Sequence, residues 1–210
     1  MKIAIIGASR GCGLATVKEA LARGWSVNGL ARNPEQAEFK DTRLAWYQGD
    51  ARNDLLLEQT IKGCDAVVVA LAAKTGRERV TVFSESIAAI LTVMNRHGMK
   101  RLIFVSGIGA GDSKGSGGFL YNWIIHPFVL RRNYADKDRA EALLFKSHKE
   151  WTVVRPGILT NRAKAGKKVT ALTNPADYRK GSIGRADVGW YICECIERGL
   201  HVNETPLLIT

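Results

Sequence analysis

Residues 1–14 decide the fold of this chain, and they read MKIAIIGASRGCGL. The apolar run at residues 3–6 predicts a strand that ends at Gly7, and a helical pattern begins where the stretch closes. Gly7 permits a tight turn, while Gly11 and Gly13 keep side chains away from the phosphates and let the helix pack close to the strand. A strand, a glycine turn and a helix N-terminus in this order predict a binding site for a dinucleotide pyrophosphate.

The length and the composition indicate one ordinary globular domain. The chain has 210 residues, of which 46% are hydrophobic and 24% are charged, and this length is sufficient for a single large core. The longest uncharged apolar run, at residues 66–73, is too short to cross a membrane. Because the first strand begins at Lys2, we expect no targeting peptide and a cytoplasmic location.

The net charge of +11 favours anionic ligands. The basic residues are spread along the chain without a long block of like charges, so we expect a basic surface rather than a nucleic-acid-binding protein. The four cysteines (Cys12, Cys64, Cys193 and Cys195) have neither a CxxC pattern nor metal-ligand spacing. We expect free thiols in a reducing compartment and no bound metal.

Predicted strands and helices alternate along the whole chain. Strands are predicted at residues 3–6, 25–30, 44–48, 66–71, 101–106, 151–155 and 207–209, and helices at residues 14–23, 55–62, 77–97, 132–147 and 185–198. Long helices between successive strands indicate β-α-β units with right-handed crossovers. We therefore predict an α/β fold with a doubly wound parallel sheet, a single Rossmann domain over residues 1–210.

Two segments interrupt this alternation, at residues 107–131 and 160–184. Both follow strands at the carboxyl edge of the sheet, where ligands bind in such folds, so we predict that they form walls of a substrate pocket. The first segment contains a run of aromatic side chains, namely Phe119, Tyr121, Trp123, His126 and Phe128. An equally good interpretation is a hydrophobic loop that packs on the core or on a second subunit.

The glycine spacing Gly-x-x-x-Gly-x-Gly at residues 7–13 resembles that of the short-chain dehydrogenase/reductases. Further matching pieces follow in order along the chain: Gly49-Asp50, Ala70-Leu71-Ala72, Val105-Ser106, Lys137 with Glu141, Val154-Arg155-Pro156-Gly157 and Arg185-Ala186-Asp187-Val188. Over nearly its whole length the chain resembles the atypical branch of that superfamily, the NmrA-like and biliverdin/flavin reductase-like proteins. This resemblance implies a Rossmann fold that binds a nicotinamide dinucleotide.

The resemblance also implies which residues contact that cofactor. Asp50 and Ala51 would flank the adenine, residues 70–72 would pass under the ribose, and residues 156–158 would lie near the nicotinamide. The complete expected set is Gly7, Ser9, Arg10, Gly11, Cys12, Gly13, Arg32, Asp50, Ala51, Ala70, Leu71, Ala72, Lys137, Pro156, Gly157 and Ile158.

Two arginines indicate NADP rather than NAD. Arg10 stands where the atypical branch usually has glycine, and it resembles the loop arginine of the NADP-preferring branch. Arg32 follows the second predicted strand, whose last residues at 28–31 contain no carboxylate for the ribose hydroxyls. Two cations without a carboxylate favour the doubly charged 2′-phosphate of NADP.

Ser106, Tyr134 and Lys137 are the candidate catalytic residues. In the better-known branch of the superfamily, a serine ends the fifth strand, a tyrosine donates a proton, and a lysine four residues later holds the ribose. Aligning Lys137 and Glu141 on this pattern places Asn133 at the tyrosine position, with Tyr134 one residue later. Tyr134 shares a helix face with Lys137, but its phenol is rotated by about 100° from the usual position. An exposed or core aromatic is the alternative interpretation of Tyr134.

These features predict an NADPH-dependent reductase that transfers hydride to a planar or carbonyl acceptor of the flavin, quinone or tetrapyrrole class. Such an acceptor needs little beyond stacking on the nicotinamide, since solvent can supply the proton. The alternative hypothesis is a non-catalytic NADP(H)-binding redox sensor or regulatory protein, as NmrA-like proteins can be. In either case we expect a monomer or homodimer that binds a small molecule and no membrane.

Overall fold

The computed structural model describes residues 1–73, 79–108, 131–162, 168–178 and 181–210. Its helices are α1 (Gly11–Ala22), α2 (Asp54–Ile61), α3 (Val82–Arg96), α4 (Arg131–Phe145) and α5 (Arg185–Glu197). Its strands are β1 (Lys2–Ile6), β2 (Ser26–Ala31), β3 (Leu44–Gln48), β4 (Ala66–Val69), β5 (Arg101–Val105), β6 (Glu150–Pro156), β7 (Ile158–Thr160), β8 (Thr170–Leu172), β9 (Ser182–Gly184) and β10 (Leu207–Ile209). Short 3-10 turns cover Pro34–Ala37 and Pro175–Asp177.

Eight of these strands form one sheet in the order β3-β2-β1-β4-β5-β6-β10-β8. Every neighbouring pair is parallel except β10 and β8, which are antiparallel. β7 and β9 form a separate parallel pair. The predicted fold class is therefore confirmed as a doubly wound, mostly parallel α/β sheet in one domain.

Helices cover both faces of the sheet, and each face has its own hydrophobic core. Along β1, Ile3 and Ile5 face the core under α1 and α5, whereas Ala4 and Ile6 face the core under α2, α3 and α4. All four side chains are fully buried. A strand that is buried on both faces must be apolar at every position, which explains the continuous apolar runs of β1 and β4.

Three parts of the described chain differ from the sequence-based prediction. The helix predicted from residue 77 begins at Val82, and residues 79–81 are not helical. The strand predicted up to residue 71 ends at Val69. The interval 158–184 contains β7, β8 and β9, three-residue strands that the sequence-based prediction does not include.

The predicted aromatic pocket wall at residues 107–131 lies almost entirely outside the described residues, since the description stops at residue 108 and resumes at residue 131. The five aromatic residues of that segment are among those not described. Within the described chain, no helix combines the length and the apolar character that a membrane crossing requires.

Candidate functional site

A cleft of about 1180 Å³ opens at the carboxyl edge of the sheet. Residues at the ends of β1, β2, β4 and β5 line it, together with the first turns of α1 and α3 and one face of α4. Most of the residues that the sequence predicts for the site line this cleft, namely Gly7, Ser9, Arg10, Gly11, Cys12, Arg32, Asp50, Ala51, Ala70, Leu71, Ala72, Ser106, Tyr134 and Lys137.

The glycine turn brings β1, α1 and the end of β4 into close contact. Gly7 has a φ of +89°, and a Cβ atom at this position would lie 2.6 Å from the carbonyl oxygen of Ala70. A Cβ atom on Gly13 would lie only 2.0 Å from the carbonyl oxygen of Gly7. Gly13 is not among the described residues that line the cleft, and its role is to let α1 begin directly on the turn.

The N-terminus of α1 opens into the cleft. The amide of Leu14 makes the first helical hydrogen bond, 3.2 Å to the carbonyl oxygen of Arg10, so the amides before Leu14 precede the helical ladder. Arg10 occupies the N-cap position without a side-chain cap hydrogen bond, and the first turn of α1 has no acidic residue. In the described chain nothing lies within 4 Å of the position that a Cβ atom on Gly11 would take. An open helix N-terminus with free space before it is suited to an anion.

Arginines surround the β2 side of the cleft. Arg10 and Arg32 are exposed and line the cleft, and neither side chain has a hydrogen bond or ion pair within the described chain. Asp50 accepts two hydrogen bonds of 2.8 and 3.0 Å from the guanidinium of Arg52, a residue that the sequence-based prediction does not include. Arg52 holds the pKa of Asp50 below its usual value and balances its charge. Arg10 and Arg32 are therefore cations that remain available to a ligand on this side.

Lys137 lies on the β5 side of the cleft. Its ammonium donates a hydrogen bond of 2.7 Å to the carbonyl oxygen of Ser106. Burial lowers the pKa of Lys137 to about 8, against the opposing influence of Glu141 and Cys12. The Ser106 hydroxyl is buried and has no hydrogen-bond partner in the described part of the chain. A buried hydroxyl without a partner that lines a cleft is a candidate for ligand contact.

Tyr134 also lines the cleft, although it stands only three residues before Lys137. Its side chain is buried, and its ring centroid lies 5.2 Å from the Lys137 Nζ. Its hydroxyl lies 3.1 Å from the position that a Cβ atom on Gly107 would take, just beyond β5. Asn133 lines the cleft as well. The one-residue offset therefore leaves the phenol beside the lysine, and Tyr134 is not an exposed aromatic.

A buried ion pair connects α4 with β6. Arg155 donates a hydrogen bond of 2.7 Å to Glu141, and each side chain is 1% exposed. Glu141 also favours the charged form of Lys137. Because each of these buried charges needs the other, the pair fixes α4 against the sheet. Two of the sequence pieces that carry the family resemblance are thus in direct contact.

Pro156, Gly157 and Ile158, which the resemblance places near the nicotinamide, are not among the described residues that line the cleft. Pro156 and Gly157 are buried between strands, and Ile158 is 58% exposed. Leu159 and Asn161 line the cleft instead. No sequence signal marks these two residues, because their position depends on how β7 leaves the sheet.

Cys12 lies in the first turn of α1, and its thiol is buried. Burial raises the pKa of Cys12 to about 11, against the opposing influence of Arg185 and Lys137. The thiol is therefore protonated at neutral pH and is a poor nucleophile. All four cysteines are free, as the sequence predicts, and all four are buried.

Comparison with known protein families decides the class of this site. The chain matches the NAD(P)H-binding family over residues 7–198. It belongs to that family. The matched range includes the glycine turn, the basic side of the cleft and the residues of α4. The predicted binding of a nicotinamide dinucleotide by this chain is thereby confirmed at the level of the family.

Three curated relatives are similar to this NAD(P)H-binding protein. The uncharacterized protein YwnB of Bacillus subtilis (strain 168) is 36% identical over 110 residues, which are 52% of this chain and 49% of YwnB. The uncharacterized sugar epimerase YhfK of the same organism is 26% identical over 171 residues, 78% of this chain and 72% of YhfK. Cinnamoyl-CoA reductase 1 of Oryza sativa subsp. japonica is 29% identical over 117 residues, 51% of this chain and 35% of the reductase. The chain thus spans about half the length of YwnB.

Solved structures share the fold of this NAD(P)H-binding protein over its full length. ChuY, an anaerobillin reductase from Escherichia coli O157:H7, has a TM-score of 0.80 at 21% identity, and the likeness covers 100% of this chain and 97% of ChuY. A short-chain dehydrogenase/reductase from Veillonella parvula DSM 2008 in complex with NADP has a TM-score of 0.79 at 18% identity, with 100% and 94% coverage. At these identities the likeness concerns the fold.

Proposed function

We propose that this protein is an NADPH-dependent reductase that transfers hydride to a planar or carbonyl acceptor of the flavin, quinone or tetrapyrrole class. The observation that carries the proposal is a single cleft, which extends from the open N-terminus of α1 to Ser106, Tyr134 and Lys137. A dinucleotide whose pyrophosphate binds at α1 would reach these three side chains with its reactive end.

The glycine turn and the serine both fit such a dinucleotide. Gly11 leaves space in front of the first amides of α1, where a pyrophosphate would accept their hydrogen bonds. A side chain at this position would fill that space. On the β5 side, the buried Ser106 hydroxyl still needs a partner within the described chain. A bound nicotinamide or an acceptor would supply one.

Arg10 and Arg32 favour NADP over NAD. β2 ends at Ala31, so no carboxylate stands where the ribose hydroxyls of NAD would need an acceptor. Two available guanidinium groups would instead bind the 2′-phosphate through charge-assisted hydrogen bonds. The Veillonella parvula neighbour was solved in complex with NADP, which supports this choice.

The β5 side of the cleft would carry out the chemistry, for which NADPH supplies the hydride when bound. Lys137 would contact the nicotinamide ribose with its ammonium. The same charge beside the ring of Tyr134 would stabilise a phenolate and so make the phenol a better proton donor. Ser106 would orient the acceptor through its hydroxyl. Because the Lys137 ammonium has a pKa of about 8, these roles favour neutral rather than alkaline pH.

The acceptor class rests on two supports. The aromatic residues at 119–128 suit a flat molecule, and ChuY, which shares the fold, is by name a reductase of anaerobillin. For such an acceptor, solvent can replace Tyr134 as the proton source. Four buried free thiols agree with a reducing compartment such as the cytoplasm, where we place the protein.

Oxidation of NADPH by purified protein with a panel of flavins, quinones and tetrapyrroles tests this function. We expect NADPH loss that depends on the acceptor and falls strongly in the Lys137→Met variant, while NADPH still binds. Tight NADPH binding without oxidation by any acceptor would contradict the reductase and favour a regulator that only binds the dinucleotide.

A further inference from the structure

Helix α3 begins without a cap of its own. Thr81 at its N-cap position makes no side-chain cap hydrogen bond, and the first helical bond joins the Glu85 amide to the Thr81 carbonyl oxygen. Asp136 of α4 caps the helix instead. Its Oδ2 accepts hydrogen bonds from the amides of Phe83 and Ser84 at 2.8 and 3.4 Å. An acidic side chain of one helix thus supplies the N-terminal cap of another.

The second carboxylate oxygen of Asp136 strengthens this connection. The Ser84 hydroxyl donates to Oδ1. Arg139, one turn further along α4, donates to the same oxygen at 3.0 Å and to the carbonyl oxygen of Val80 at 2.7 Å. Asp136 is fully buried, and these donors compensate for the loss of its hydration.

The two helices that Asp136 joins both line the candidate site. Residues 80–83 line the cleft from α3 and the turn before it, and Tyr134 and Lys137 line it from α4. The Lys137 Nζ lies 5.4 Å from the centroid of the Phe83 ring, so the two walls meet at these side chains. Because Asp136 directly precedes Lys137, any movement of α4 relative to α3 displaces the ammonium.

We infer that Asp136 is a positioning residue: by capping α3 from α4, it fixes Lys137 and Tyr134 against the wall formed by residues 80–83. Asp136 is not among the described residues that line the cleft, so it acts through its neighbours rather than on a ligand. Its effect on turnover rests on the proposed function. Its effect on the position of Lys137 does not.

The Asp136→Asn variant tests the inference in the full-length protein. Asparagine keeps the size of the side chain but replaces one acceptor oxygen by a donor, so either the α3 amides or Arg139 lose their partner. We expect kcat to fall about tenfold to a hundredfold, since a misplacement of about 1 Å can cost about a hundredfold. The Kd for NADPH should change much less than kcat, because the phosphates would still bind at α1 and only the ribose contact of Lys137 would be affected.

Asp54→Asn is the matched control. Asp54 lies in the first turn of α2, pairs with Arg96 at 2.7 Å and is not among the described residues that line the cleft. Like Asp136→Asn, the Asp54→Asn substitution removes a negative charge near a helix N-terminus. We expect its kcat to remain at the wild-type level. An equal loss of kcat in both variants would overturn the inference.

A second variant separates positioning from simple stabilisation of α3. Thr81→Asp gives α3 a cap from its own N-cap residue but does not restore the connection to α4. In the double variant Asp136→Asn/Thr81→Asp, we expect the melting temperature to recover while kcat stays low relative to Thr81→Asp alone. Recovery of both quantities would show that Asp136 only stabilises the helix.

Amine labelling provides a measurement that does not depend on activity. Lys137 and Lys149 each donate a 2.7 Å hydrogen bond to a backbone carbonyl, of Ser106 and Met99 respectively. With trinitrobenzenesulfonate and peptide mass spectrometry, Lys137 should be labelled several-fold faster in Asp136→Asn, and Lys149 at the wild-type rate. Faster labelling of Lys137 in a protein that reduces no acceptor would refute the proposed function and keep the positioning role. An unchanged labelling rate of Lys137 would refute the positioning role whatever the activity.

Discussion

Alanine substitutions at Gly13 and Gly11 should have different consequences, although the two glycines stand two residues apart. Gly13 lies against the turn after β1, where a Cβ atom would be 2.0 Å from the Gly7 carbonyl oxygen and 2.9 Å from its carbonyl carbon. Gly11 faces open space in the described chain and has a φ of +59°. Gly13→Ala therefore tests how the helix packs, and Gly11→Ala tests what binds in front of it.

The clash at Gly13 gives the expected magnitude. Non-bonded carbon contacts are comfortable at about 3.5 Å, so the backbone of α1 or of the turn must move by about 1.5 Å. Overpacking typically costs about 1–3 kcal/mol of unfolding free energy. We expect Gly13→Ala to cost about 3 kcal/mol, because the clash is with backbone atoms, which cannot rotate away as a side chain can. A loss of about 3 kcal/mol lowers the melting temperature of a chain of this size by about 6–12 °C. Gly11→Ala should cost only about 1–2 kcal/mol, for the left-handed backbone.

Two measurements on the same preparations complete this test. In urea unfolding without cofactor, the free energy of unfolding should fall strongly for Gly13→Ala and only slightly for Gly11→Ala. Calorimetric titration with NADPH should show strongly weakened binding for Gly11→Ala, because its methyl group would stand before the amides of α1. Wild-type stability of Gly13→Ala, or wild-type NADPH affinity of Gly11→Ala, would refute the respective role.

Three further predictions concern charged residues. Arg10→Ala combined with Arg32→Asp should weaken NADPH binding by about 3 kcal/mol, roughly a hundredfold, and NADH binding far less; equal losses in calorimetry would contradict the assignment to the 2′-phosphate. The pKa of Lys137 is about 8 in the folded protein, against an ordinary value of 10.5 that applies to the unfolded chain. Between these two pH values, the unfolded chain therefore binds a proton that the folded protein has lost. The urea stability of the wild type should therefore rise relative to Lys137→Met as the pH increases from 8 to 10.5, and a constant difference would show that the ammonium is not buried. Arg155→Met should cost about 3–5 kcal/mol in urea unfolding by leaving Glu141 unpaired, and Arg155→Met/Glu141→Leu should cost less; simple additivity would show that the two residues are not coupled.

The sequence predicted the features that are encoded locally. Gly7 and Gly13 are needed by the turn itself, and the apolar run of β4 follows from burial on both faces. The alternation of strands and helices predicted the doubly wound parallel class of the sheet without knowledge of any contact. Tyr134 shows what residue spacing alone cannot predict. The rotation estimated from an ideal helix left open whether the phenol reaches the cleft, and the structure places Tyr134 in its lining.

The features that escaped prediction depend on contacts between distant parts of the chain. Asp136 looks like an ordinary polar residue of α4, and its partner amide belongs to Phe83, which lies 53 residues earlier. The first turn of α3 is capped by that contact, since its own N-cap residue makes no side-chain cap hydrogen bond. Leu159 and Asn161 enter the cleft through a short strand that has no sequence pattern.

The most direct test of the central claim is the primary kinetic isotope effect on acceptor reduction with NADPH deuterated at the transferred nicotinamide C4 position. A reductase that moves hydride from the β5 side of this cleft should oxidise NADPH only when an acceptor is present, and more slowly with the deuterated cofactor. Saturating NADPH binding without acceptor-dependent oxidation, or oxidation with no isotope effect even in single-turnover experiments, would contradict the claim.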